Sequence, residues 1–265
     1  MSARFPATVS LSFAELARHG GFTGPHADGW GIAYYEDRDA RVLREPHPAS
    51  ASPWVRFIEA QALRSTLVLS HVRKATQGDV ALRNTQPFAR PLGARMHVFA
   101  HNGHMPGIDK IIELTPGRHL PIGETDSEIL FGALLQRLEP LSGGRHLAER
   151  QQRIDAVSTI ARHARMLGPA NFIYTDGELL FAHGNERTQE AGQPTRPPGL
   201  YMLSRRCPAG DEELRAAGVR VRAGHPEQEV VLFASTPLTD EPWQPLAQGE
   251  LIVVSDGQVL QHGVP

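Results

Sequence analysis

Cysteine and lysine are nearly missing from this chain. Cys207 is the single cysteine in 265 residues, which excludes an internal disulfide framework and any cluster of cysteine metal ligands. Lys74 and Lys110 are the lysines, and arginine carries the other basic positions, a trait we read as genome composition rather than function. No charged-then-apolar pattern opens the chain, and no apolar run is long enough to cross a bilayer. The expectation is therefore a cytoplasmic protein with no membrane partner. Neither sign of charge is in excess. A formal net charge of −2 gives no general reason to expect a polyanion, so no nucleic-acid partner is expected. Internal repeats, low-complexity tracts and a clear linker are also absent. With 40% hydrophobic and 21% charged residues, the composition suits one globular domain over residues 1–265.

Ser12-Phe13-Ala14-Glu15 has capping-box spacing and predicts a short helix that Gly20 and Gly21 would end. The turn Gly24-Pro25-His26-Ala27-Asp28-Gly29 runs into the strand-like Trp30–Tyr35, and a partner strand near Arg41–Arg44 makes a hairpin. Val55, Ile58 and Ala62 stand at helical spacing. Leu67-Val68-Leu69 and Met96-His97-Val98-Phe99 read as buried strands. Thr125 with Glu128 forms a second capping box, opening a helix with one apolar face (Ile129, Leu130, Ala133, Leu134, Leu138) that runs to Pro140. Another helix, about 146–167, would end at Gly168-Pro169. Asp176-Gly177 predicts a hairpin between Phe172–Tyr174 and Leu179–Phe181. Strands follow at Leu200–Ser204, Glu229–Ala234 and Leu251–Ser255, with surface loops at 192–199 and 205–228. Helices packed on sheets, in mixed rather than alternating order, are the expected architecture.

Three motifs carry chemistry. The first, His71-Val72-Arg73-Lys74-Ala75-Thr76-Gln77-Gly78, leaves an arginine at a strand end, where a guanidinium can take a carboxylate through two parallel hydrogen bonds. For an isolated arginine the usual reading is a surface residue; Thr76 and Gly78 after Arg73 favour a tight polar loop. The second is Ala100-His101-Asn102-Gly103-His104. Asn-Gly marks turns, yet an asparagine amide beside a glycine N–H also supplies the two neutral donors of an oxyanion hole. The third, Gly123-Glu124-Thr125-Asp126-Ser127-Glu128, puts Asp126 in the first turn of a capped helix. Stabilisation of the helix dipole explains it, and so does a counter-ion for a substrate ammonium. His97 and His101 would share a strand face near His71 and His104, but their spacing matches no familiar zinc signature, so no metal and no cofactor is expected. Cys207, before Pro208, has no positioned base in view and reads as an incidental thiol.

Taken together and in this order, the motifs resemble class II glutamine amidotransferases of the N-terminal-nucleophile superfamily, most of all the small stand-alone members of the YafJ type. The likeness runs from about Gly20 to Ile129, on Gly24–Ala33, Asn84-Thr85-Gln86-Pro87-Phe88 and Ala100–Gly103, and continues more weakly in the last strands. The resemblance implies an α+β fold, a four-layer αββα sandwich. It also implies that Arg73 and Asp126 hold the carboxylate and ammonium of glutamine, that Asn102 and the Gly103 N–H form the oxyanion hole, and that Thr76 helps line the pocket. The activity it implies is hydrolysis of the glutamine side-chain amide to glutamate and ammonia through a cysteine thioester.

The family's nucleophile is an N-terminal cysteine whose own α-amine acts as base. This chain begins Met1-Ser2-Ala3-Arg4, without that cysteine or the short apolar strand that should follow it. The expectation is that Met1 is an internal methionine and that several residues precede it. Ser2, exposed by loss of Met1, is a second candidate in the wrong register. Gln77 and Gln86 stand where related motifs often carry histidine. Two further readings are a γ-glutamyl amide hydrolase of the ergothioneine-pathway type, and a pseudo-enzyme that binds an amino acid or a partner protein. No synthase region follows the amidotransferase-like part, so delivered ammonia would need an acceptor on a partner protein.

Overall fold

Two antiparallel sheets stacked face to face organise this chain. The computed structural model describes residues 1–11, 27–61, 63–112, 118–143, 146–190, 192–207, 213–216, 219–222 and 227–265. The strands of the first half are β1 (Ser2–Leu11), β2 (Trp30–Glu36), β3 (Asp39–Glu45), β4 (Arg64–Val72), β5 (Phe88–Leu92) and β6 (Arg95–Gly103). Those that follow are β7 (Ala170–Thr175), β8 (Leu180–Gly184), β9 (Arg187–Thr188), β10 (Thr195–Arg196), β11 (Tyr201–Cys207) and β12 (Glu213–Ala216). The last are β13 (Val219–Arg222), β14 (Gln228–Ala234), β15 (Gln244–Pro245), β16 (Glu250–Ser255) and β17 (Gln258–Gly263). Helices are α1 (Pro53–Gln61), α2 (Ile108–Ile111), α3 (Asp126–Leu138) and α4 (Arg150–Leu167). A nine-stranded sheet runs β15-β11-β14-β1-β4-β2-β3, with β13 pairing β1 and β12 pairing β13. A six-stranded sheet runs β17-β16-β8-β7-β6-β5.

Three apolar cores separate the layers. Ala33, Leu67, Leu69 and Val231 of the larger sheet meet Val98, Leu180, Ala182 and Ile252 of the smaller one. Outside the larger sheet, Val55 and Ile58 of α1 pack on Ile32, Tyr34 and Val68. Outside the smaller sheet, Leu130, Phe131 and Leu134 of α3 and Val157, Ile160 and Ala161 of α4 cover Phe99, Phe172 and Phe181. Phe99 stacks on Phe131 at 5.3 Å between ring centroids. The order helix, sheet, sheet, helices is the four-layer αββα arrangement. Central strands covered on both faces need no polar alternation. Hence all five residues of β8 are buried, whereas the edge strand β17 is exposed throughout.

The sequence reading is met at Trp30–Glu36, at the Asp176-Gly177 hairpin joining β7 to β8, and at the helix after Thr125. The helix expected from Ser12 and the turn residues Gly24–His26 lie outside the described residues. Other elements differ. No strand was expected before Ser12, yet β1 occupies the middle of the larger sheet, between β4 and β14. Its small and polar residues, with Pro6 inside, conceal it. Residues 205–228, expected as loop, contain the β12–β13 hairpin docked on β1. The helix expected from about 146 begins at Arg150, capped by Glu149 and Gln152. The Thr125 box is half made: Thr125 Oγ1 accepts the Glu128 N–H, but the Glu128 carboxylate takes the Gly123 N–H and pairs with Arg90 instead.

Candidate active site

Each of the three motifs lies where a strand or helix ends. Arg73 follows β4, its backbone still laddered to the β2 side through Arg73 N–H to Gly29 O and Asp28 N–H to Arg73 O. Its side chain is 4% exposed. Nη2 donates to the carbonyls of Gln77 (2.9 Å) and Gly78 (3.2 Å), so the arginine holds its own following loop. Nη1 has no hydrogen-bond partner among the described residues. Burial lowers the guanidinium pKa from its usual value, against an opposing pull from Asp28 and Glu124. Asp28 serves the same loop, its Oδ2 accepting the Ala75 N–H at 2.7 Å. Thr76 stands exposed on that loop.

Asn102 and Gly103 finish β6. Along β6, His97, Phe99 and His101 turn to the helix side and Val98 to the inter-sheet side. By the two-residue period Asn102 shares the face of Val98. The Asn102 amide therefore reaches across to the other sheet, where Nδ2 donates to Ser235 Oγ at 3.0 Å. The Asn102 carbonyl accepts from Asn171 Nδ2 at 2.9 Å, which fixes the strand end. Gly103 is required by close approach, because a Cβ there would overlap the Pro169 carbonyl oxygen.

Asp126, 5% exposed, opens α3. Its Oδ2 accepts the Met105 N–H at 2.8 Å and lies 3.6 Å from His104 Nδ1, while Oδ1 accepts the Ser127 N–H. The third motif is thereby hydrogen-bonded to the turn that follows the second. Glu124 joins it to the first: its carbonyl accepts from Gln77 Nε2, and its carboxylate from Asn84 Nδ2 and Arg83 Nε. Those two hydrogen bonds, Asn84 first, hold the Glu124 carboxyl below the usual range. Beneath lies a buried polar layer. Gln86 clasps the His101 backbone at both its N–H and its carbonyl, and His101 Nδ1 sits 2.9 Å from Ser127 Oγ. Burial pushes the His101 imidazole below its ordinary pKa, although nearby Asp126 acts the other way.

The family model for class-II glutamine amidotransferases matches residues 1–265. This chain belongs to the class-II glutamine amidotransferases. The YafJ protein of Escherichia coli (strain K12) is 34% identical over 257 residues, covering 94% of this chain and 93% of the relative. A crystal structure described as a predicted glutamine amidotransferase from Pseudomonas aeruginosa PA01 matches with a TM-score of 0.69 at 31% identity, over 98% of this chain and 97% of that one. The glutamine phosphoribosylpyrophosphate amidotransferase from B. subtilis matches at 13% identity and a TM-score of 0.52, over 96% of this chain and 45% of that one, a likeness of fold.

In this amidotransferase the sequence motifs point to Arg73, Asn102, Gly103 and Asp126, and the fold gathers their segments at one end of the sandwich. Sequence reasoning missed Asn171 and Ser235, which bind Asn102 from far along the chain. It noted Gln86 and Glu124 within motifs without giving them a task. Ser2 lies elsewhere: it pairs with Leu67, six residues before Arg73, roughly 20 Å away along β4. Its Oγ accepts the Gly257 N–H at 3.1 Å. Cys207 ends β11, opposite Gln228. Among the described residues no group of three or more His, Cys, Asp or Glu could hold a metal ion, and no helix is long and apolar enough to cross a membrane.

Proposed function

We propose that this site takes a γ-carboxamide of glutamate, with glutamine as first candidate, and hydrolyses it to glutamate and ammonia through a cysteine thioester. The observation that supports this most is Arg73. A buried guanidinium N–H with no partner among the described residues costs roughly 1–3 kcal/mol, and a substrate α-carboxylate would remove that cost with charge-assisted hydrogen bonds. Asp126 would meet the ammonium group. Thr76 would flank the bound amino acid on the loop that Arg73 organises.

The nucleophile, on this reading, is an N-terminal cysteine acting with its own α-amine. Ser2 faces Leu67 on one side and Val231 on the other, and each step back along an antiparallel strand is one step forward along its partner. The line of β1 past its first residue therefore leads between Arg73 and Ser235. Sulfur would attack the carboxamide carbon, with the α-amine relaying the thiol proton to the leaving ammonia as the C–N bond breaks. The amide of Asn102 and the Gly103 N–H would hold the oxyanion. Water would cleave the thioester, giving glutamate and the free thiol. Passing ammonia to an acceptor would need a site on a partner protein.

The test uses the protein isolated from its native host, with the N-terminal residue identified and its intact mass measured. Glutamine hydrolysis is expected from a chain starting with cysteine. In that protein Arg73→Ala should raise KM and Asn102→Ala should lower kcat roughly a hundred- to a thousandfold. Binding of glutamine without turnover would overturn the reading in favour of a pseudo-enzyme. A strong preference for γ-glutamyl conjugates would redirect the substrate while leaving the chemistry intact.

A further inference from the structure

Asn102 poses a problem of orientation. A carboxamide rotates about its last torsion between two roughly equivalent settings. In one an N–H faces the substrate; in the other the amide oxygen does, and it would repel a developing oxyanion. Asn102 is exposed at its strand end, so core packing does not hold its side chain in place.

We infer that Ser235 holds the Asn102 side chain in place, as the positioning residue for its amide; the inference rests on the oxyanion role proposed above. Nδ2 donates to Ser235 Oγ at 3.0 Å. An amide nitrogen has two N–H bonds, so one is spent on the serine and the other is turned away from it. Ser235 is well suited to act as a fixed reference. It directly follows β14, which is laddered to β11 along its whole length. The segment after it is tied down: Trp243 is buried, its Nε1 donates to Thr239 Oγ1 at 2.8 Å, and Arg205 pairs with Glu241. The Asn102 backbone has its own anchor in Asn171. Side chain and main chain are thus held from different elements, 133 and 69 residues away in sequence. The Asn102–Ser235 bond also crosses from the smaller sheet to the larger, so it sets the amide relative to Arg73, which the larger sheet carries.

The experiment is a double-mutant cycle in the native-host protein with its natural N-terminus, assayed on glutamine. Ser235→Ala should lower kcat between about tenfold and a hundredfold, less than loss of the donor itself, with KM within about twofold. Ser235→Thr, which keeps the hydroxyl, should restore most of the rate. On an Asn102→Ala background Ser235→Ala should cost nothing further. Full turnover by Ser235→Ala while Asn102→Ala is slow overturns this inference and leaves the proposed function standing. An equal loss on both backgrounds overturns it too. Full turnover by Asn102→Ala overturns the oxyanion assignment and the inference together.

Discussion

Two buried arginines at different places in the sandwich are supplied with opposite surroundings. Arg153, on α4, meets Asp176 at 2.7 Å and Glu178 at 3.2 Å by the β7–β8 turn. Burial alone would lower its pKa, but the two carboxylates outweigh that and raise it. Arg73 has carbonyl partners within its own loop and one N–H left over among the described residues, and its pKa moves down. The first cation is met by two carboxylates of the protein, although its Nε also lacks a hydrogen-bond partner among the described residues; the second is met by carbonyls alone.

The comparison breaks most readily at Arg153. Arg153→Ala leaves Asp176, fully buried, without its counter-charge, and removing one member of a buried pair costs about 3–5 kcal/mol. Urea unfolding should show a large drop in midpoint, with Arg73→Ala far less affected. Equal losses in both variants would erase the distinction. Next in size is a pH effect. His97 bonds Tyr174 close to Arg153, and His183 lies in the same sheet; burial pushes both imidazoles down to about 4. Unfolded histidine titrates near 6.5, so between these values the unfolded chain binds more protons. Stability should be complete above about pH 6.5 and fall as pH drops towards 4. His97→Gln should flatten that fall in a series of urea midpoints; an unchanged slope would deny a buried neutral imidazole. The smallest effect belongs to Arg41 and Glu36, an ion pair at 2.6 Å with both side chains largely exposed. Arg41→Ala should change stability by less than about 1 kcal/mol, a baseline for the other two.

The architecture and the candidate site residues were readable from sequence to different depths, for physical reasons. Arg73 and Asn102 sit where an apolar run stops and Asp126 where a helix with an apolar face begins, so period and terminus signals point at them. The Asp176-Gly177 hairpin is equally local, and Gly177 adopts the positive φ that such a turn uses. The strand β1 was hidden because a strand between two partners is held by their ladder, whatever its own propensity. Glu128 misled the capping reading because Arg90, distant in sequence, competes for its carboxylate. Ser235 and Asn171 could not be read at all. Nothing near either in sequence signals Asn102; only the closed sandwich brings them together.

Glu124 lies outside every catalytic assignment above, yet it is held by Gln77, Arg83 and Asn84, while the adjacent Gly123 has no room for a Cβ beside the Asn84 amide oxygen. Mechanically, the stretch carrying Gln77 to Asn84 and the stretch carrying Gly123 and Glu124 are joined through both the backbone and the carboxylate of Glu124. Backbone amides in both should therefore exchange with solvent through one shared opening event, and Glu124→Ala, which keeps the backbone bonds, should speed that event.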